Sequence, residues 1–127
     1  MDYEDSSSSS IVAEEKPLEV VSVGMLSPAE VYAVEDIPTW NEGQVWTSRA
    51  DYISEDASIV AIAAKTWGLN VGMVTSSLGD DIRGHSVLRE LREIGVEGDF
   101  RIDKKMRTPY EIVLSDKSGG RTFIWDR

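Results

Sequence analysis

Between Ser54 and Gly68 the residues Ala57, Val60, Ala61, Ala64 and Trp67 recur at helical spacing. A β-prone apolar run stands on each side, Leu18 to Gly24 before and Leu69 to Thr75 after. Strand, helix and strand in that order build β-α-β units, which place strands in parallel and the helix across them. Gly68 closes the helix as its first residue beyond the cap. Ile59, Ile62 and Ala63 fill its remaining sides, so it is predicted to be apolar nearly all round and deeply buried. A second, amphipathic helix follows, with Val87, Leu88, Leu91 and Ile94 on one face, an Arg89–Glu93 pair on another, and Gly95 as its stop.

The remaining segments read as hairpins. Val31 to Val34 and Gln44 to Thr47 are short β-prone stretches separated by a polar turn with Pro38, Asn41 and Gly43. After Gly98 the pattern turns to period two, with Tyr110, Ile112 and Leu114 on one face, a turn over residues 116–120, and Thr122 and Ile124 on the return. The whole is α/β: a parallel sheet with flanking helices and a separate small antiparallel β layer. The sheet and helices take residues 18–30 and 54–98, and the hairpins about 31–53 and 99–127.

Length limits this to one core, since 127 residues at 41% hydrophobic suffice for one ordinary domain. Residues 1–17 hold five consecutive serines and five acids against Lys16, a composition that cannot offset chain entropy, and are predicted to be a disordered acidic tail. The net charge of −10 repels nucleic acid and anionic membranes. No apolar run is long enough for a membrane span and the N-terminus is acidic, so a soluble, cytoplasmic protein is expected. The lack of cysteine excludes thiol chemistry and a Cys-ligated metal, the single His85 leaves little room for a histidine-built site, and no metal is expected.

The segment from Val71 to Gly84 carries Gly79, Asp80, Asp81 and Gly84 after a strand and before a helix ending in Gly95-Val96. Downstream come Arg107-Thr108-Pro109, a strand, an acidic glycine turn and the returning Arg121-Thr122-Phe123. Upstream stand the glycine-ended strand at Gly24 and the Ile37-Pro38 before Gly43. In this order the motifs resemble the N-terminal half of the ribokinase (PfkB-type) carbohydrate kinase family over residues 18–127. The resemblance implies a partial ribokinase-like sheet, hairpins that act as a lid over the substrate, and a lid that often serves as a dimer interface. It also implies that the G-A-G-D-like anion hole, its catalytic aspartate and the ATP site belong to a C-terminal half. ATP and magnesium are therefore expected only with that half present, and no catalytic residue is assigned in this chain. Leu78-Gly79-Asp80 is not that anion hole, because leucine stands where a glycine would expose backbone amides.

The implied substrate set is altered. The family's acid after the first strand falls on Ala29, with Glu30 one residue on as a substitute if the loop shifts and a solvent-facing glutamate as the simpler reading. The family's G-G-x-x-x-N-x-A falls on Ser54, Glu55, Ile59 and Ala61. Glu30, Ser54, Glu55 and Ile59 are thus the candidate substrate-binding residues. Against a ligand role, Ser54 reads as an N-cap with Glu55 and Asp56 in the first helical turn, and Ile59 presents an apolar branch where a polyol needs hydrogen bonds. Asp80 and Asp81 read as capping rather than as an acid/base pair, and His85 as a surface histidine. Trp67 is predicted to be core, and Trp40, Trp46 and Trp125 to be exposed lid aromatics facing ligand or partner.

Two functions compete. One is the lid and acceptor-binding portion of a kinase moving ATP phosphate to a sugar, nucleoside or similar hydroxylated compound, inactive alone. The other is a non-catalytic kinase-like binding or assembly module, a degenerate relative. An unrelated nucleotide binder ranks last, since no G-x-G-x-x-G or G-x-x-x-x-G-K-[ST] run follows the first strand.

Overall fold

The structure, a computed structural model, describes residues 16–127. The predicted tail falls outside the described residues except for Lys16 and Pro17. In chain order, β1 (Val20–Gly24), β2 (Ser27–Ala33) and β3 (Ser48–Ser54) lead into α1 (Asp56–Thr66). Next come β4 (Val71–Thr75), β5 (Leu78–Gly79) and α2 (Ile82–Ile94). Then β6 (Glu97–Gly98), β7 (Ile102–Asp103), β8 (Tyr110–Ser115) and β9 (Arg121–Asp126) complete the chain.

β1, β4 and β6 form a parallel sheet, with Val20 opposite Val71 and Gly24 opposite Thr75. One cluster holds the core: Ala57, Ala61 and Ala64 of α1, Val71 and Met73 of β4, and Val87, Leu88 and Leu91 of α2. α1 meets the sheet through small side chains, close enough that a Cβ on Gly24 would sit 3.0 Å from that of Ala57. This corrects the expectation of a deeply buried α1. Only the narrow Ala57, Ser58, Ala61, Ala64 stripe is covered, and Ile59, Val60 and the predicted core residue Trp67 are exposed. Val21, Val23 and Val74 are also exposed, on the strand faces that alternate with the buried Ser22, Val71 and Met73.

The segments predicted as lid hairpins form one four-stranded sheet in the order β3-β2-β8-β9. Its first hairpin pairs Ser27 with Ser54 through to Ala33 with Ser48, so β2 begins before the β-prone stretch at Val31 to Val34 and β3 lies wholly beyond the one at Gln44 to Thr47. Gln44 to Thr47 belong to the loop, which closes where the Thr47 N–H donates to the Ala33 carbonyl at 2.8 Å. Seven consecutive ladder pairs outweigh the local preference of Val45 and Trp46. The second hairpin falls where expected; the Asp116 carboxylate accepts from the Ser118 and Gly120 N–H groups at 2.8 Å and Gly119 takes φ 86°. β2 and β8 run parallel, Ala29 opposite Glu111, and join the two hairpins into a single surface.

Gly79, Asp81 and Gly84 tie the segment that enters β8 to α2. Asp81 caps α2 by accepting from the Gly84 N–H at 2.8 Å, and also accepts from the Thr108 N–H at 2.8 Å and the Thr108 hydroxyl at 2.7 Å. A Cβ on Gly79 would lie 2.6 Å from the Thr108 nitrogen, and one on Gly84 would collide with the Gly79 carbonyl. These glycines serve packing. α2 stops at Gly95, at φ 83°, as its sequence indicates; Arg89 donates to Ser86 at 3.2 Å rather than pairing with Glu93.

Candidate functional site

Strand register sets one row across the four-stranded sheet: Tyr52, Ala29, Glu111 and Trp125 stand side by side on β3, β2, β8 and β9. Residues directly opposite in a sheet share a face, so all four point the same way. Val31, Val113 and Phe123 form the next row on that face. Ser54 at the end of β3 and Ile59 in the first turn of α1 close the space opposite, leaving a cavity of about 480 Å³.

The polar centre of this cavity is Glu111, only 9% exposed. One of its oxygens accepts from the Ser54 hydroxyl and the other from the Trp125 indole N–H at 2.9 Å. Phe123 stacks on Trp125 with ring centroids 5.8 Å apart and planes 9° from parallel. Ala29 beside Glu111 is 3% exposed and contributes a single methyl, so the carboxylate has open space in front of it.

Of the four candidates from the sequence, Ser54 and Ile59 come together at this cavity, and Glu55 and Glu30 are not among its lining residues. Ser54 is not the N-cap. It is still in the strand, and its hydroxyl is taken by the Glu111 carboxylate. The N-cap is Glu55, which makes no side-chain capping bond and pairs with Arg127 at 3.1 Å. Its φ of 80° is a value that glycine adopts freely and other residues adopt at a cost. The backbone thus keeps a glycine-like conformation at the position where the family pattern has its second glycine. Ile59 is 56% exposed at the mouth.

Glu30 points to the other face of β2, where it accepts from the Tyr32 hydroxyl at 2.8 Å and faces Arg83 at 3.5 Å and Arg49 at 3.8 Å. Ala29 and Glu30 alternate within a regular strand, so no loop shift brings the glutamate round. Sequence reasoning missed Glu111. Its only signal was an acid alternating with Tyr110 and Ile112 in a strand, and the donors that satisfy it come from Ser54 and Trp125, distant in sequence. His85 lies on the surface with Asp80 2.7 Å away. Among the described residues no group of three or more His, Asp or Glu is placed to hold a metal, and no helix is long and apolar enough to cross a membrane.

Neither a protein-family model nor a curated protein sequence matches the chain. Solved structures do. The structure of ribokinase from Giardia lamblia superposes with a TM-score of 0.76 at 20% identity, covering 86% of this chain and 33% of that one. The fold is ribokinase-like. Ribokinase from Cryptococcus neoformans var. grubii, solved in complex with ADP, gives 0.73 at 21% identity over 87% of this chain and 35% of its own. A nucleoside kinase from Methanocaldococcus jannaschii, described as an archaeal member of the ribokinase family, gives 0.64 at 19% identity over 84% and 36%. The chain spans about a third of the length of these ribokinase-like structures, as a resemblance to an N-terminal half leads one to expect.

Proposed function

We propose that this chain is the lid and acceptor-binding portion of a PfkB-type kinase, which transfers phosphate from ATP to a sugar, nucleoside or similar hydroxylated compound and does not act with this portion alone. The observation that carries the reading is the cavity between the lid sheet and α1, where one face of four strands meets Ser54 and Ile59. Its volume of about 480 Å³ suits a small ligand. The ribokinases and the nucleoside kinase of like fold support a hydroxylated acceptor.

The chain's own residues do not fit ATP or magnesium. At Leu78-Gly79-Asp80 the leucine is buried in the core and the Gly79 N–H is already given to the Thr108 hydroxyl at 3.0 Å, so no row of free amides faces a phosphate. No step of the transfer is assigned to this chain, and the same lid makes a lid-to-lid homodimer part of the proposal.

A second reading, a non-catalytic binding or assembly module, is favoured by Glu55 and Ile59 standing where a ligand-approaching glycine and a polar side chain would serve a sugar. Calorimetry of the intact protein against ATP, D-ribose, D-fructose and adenosine, joined to an assay for ADP release, separates them. Saturable acceptor binding with acceptor-dependent ADP release is expected. Binding without ADP release favours the module, and the absence of both overturns the kinase reading.

A further inference from the structure

We propose that Glu111 is the group by which this cavity takes the hydroxyls of its ligand, standing on β8 in place of the acid that β2 lacks at Ala29. The inference rests on the acceptor-binding reading given above and names the chemistry of the same site.

Ala29 and Glu111 are direct partners in the parallel β2–β8 ladder. Adjacent strands lie about 4.8 Å apart, and side chains opposite one another rise from the same face. A carboxylate on a glutamate stem at 111 therefore reaches over the methyl group of Ala29 into the space that an acid at 29 would fill. The small residue is what keeps that space open.

A carboxylate offers about four lone-pair sites over its two oxygens. Ser54 fills one on the first oxygen and Trp125 one on the second, which leaves about one site on each. Neither partner is a cation, and among the described residues Glu111 has no ion pair, although Arg121 lines the cavity near Phe123. A buried carboxylate with an acceptor site left on each oxygen has room for two further donors set side by side. Two hydroxyls on adjacent carbons of a ring are such a pair. Phe123 and Tyr52 supply apolar faces for the ring's carbon-bound hydrogens, the usual complement to a hydroxylated edge. The ligand class is a small cyclic vicinal diol, a neutral sugar or the ribose of a nucleoside. Groups bearing negative charge at that edge are rejected by Glu111.

The Trp125 indole N–H reports on this contact directly because it donates to Glu111. With the intact protein labelled on its tryptophans, titration with D-ribose, adenosine and 2-deoxy-D-ribose is followed by the Trp125 indole signal in nuclear magnetic resonance. D-Ribose or adenosine is expected to shift that signal saturably, with 2-deoxy-D-ribose weaker. Glu111→Ala is expected to weaken binding about tenfold or more while the other tryptophan signals stay dispersed. Returning the acid to the neighbouring strand, in the Ala29→Asp, Glu111→Ala double variant, is expected to recover part of the loss, a rescue that a purely structural role for Glu111 would not give. If Glu111→Ala does not fold, Glu111→Gln carries the same expectation. Binding at wild-type strength in the Glu111 variant overturns this inference and leaves the acceptor-site reading standing. No saturable shift with any of the three compounds in the wild type overturns that reading, and the inference with it.

Discussion

Arg83, in the first turn of α2, holds its guanidinium 3.7 Å from the ring centroid of Tyr110 on β8. The same group faces Glu30 on β2 at 3.5 Å, so one side chain fastens both inner strands of the four-stranded sheet to the α/β layer. Arg83 and Glu30 are partly exposed, and solvent reduces the ion-pair share. We expect Arg83→Ala to cost about 1 kcal/mol, mostly through the lost stacking. Arg83→Lys should recover little of it, because an ammonium cannot lie flat on the ring. Urea titration measures the loss, and faster hydrogen exchange at Tyr110 and Ile112 than at Val71 and Met73 would place it in the four-stranded sheet.

Asp81 and Thr108 give a pH-dependent test. Burial acts to raise the Asp81 pKa, but the N–H groups of Thr108 and Gly84 and the Thr108 hydroxyl outweigh it, and the net shift is down from the ordinary 3.8. A carboxyl depressed by folding adds stability that is complete above its ordinary value and is lost as pH falls through the depressed one. Asp81→Asn should therefore be less stable than wild type by a constant amount near neutrality, the gap narrowing below about pH 4. Thr108→Val should cost about 1 to 3 kcal/mol at neutral pH, since it leaves the buried Gly79 N–H without its acceptor. Urea midpoints at several pH values check both.

At Glu55 the usual ranking of substitutions should invert. Glycine adopts φ 80° without strain, and relief of a strain of about 1 to 3 kcal/mol exceeds the cost of glycine's freedom in the unfolded chain. Glu55→Gly is expected to raise stability by about 1 kcal/mol, although it loses the contact with Arg127. Glu55→Ala keeps the strain and loses the contact, so it should fall below wild type. A Glu55→Gly midpoint lower than that of Glu55→Ala would sink this account.

Val21, Val23 and Val74 give the parallel sheet an uncovered face, whereas sheets of this kind are usually covered on both sides. The 127-residue chain prepared alone is expected to self-associate through it. Sedimentation should show the association weakened by Val23→Thr with Val74→Thr, which keep β-branched shape. A monodisperse wild-type monomer at high concentration would refute the expectation.

Sequence pattern located the elements whose cause is local. β1 and β4 follow from β-branched runs, the α2 stop from Gly95, and the second hairpin from Asp116 and Gly119 in its turn. What escaped depended on distant partners. β3 contains Arg49, Ala50 and Asp51, poor β formers, and owes its strand to the ladder with β2. The depth of α1 was overestimated because an all-round apolar helix does not reveal which stripe the sheet will accept. Ser54 looked like a cap because its pull toward Glu111 is visible only once β3 and β8 share a layer. Glu30 was weighed as a stand-in acid because the regular strand that turns it away was not predicted to begin before residue 31.

The parallel ladder between β2 and β8 also has a consequence for how the molecule comes into being. On the ribosome, β2 is made early and must wait for β8, which is synthesised near the end of this stretch; of the four-stranded sheet, only the β2–β3 hairpin can close in the interval. Contacts so far apart in sequence form late and slowly. Until they form, Ala29 lies on an open strand edge with no carboxylate beside it. The face that carries Ala29 and Glu111 is thus among the last parts of this stretch to appear, and a nascent chain arrested before residue 110 would carry most of the core without it.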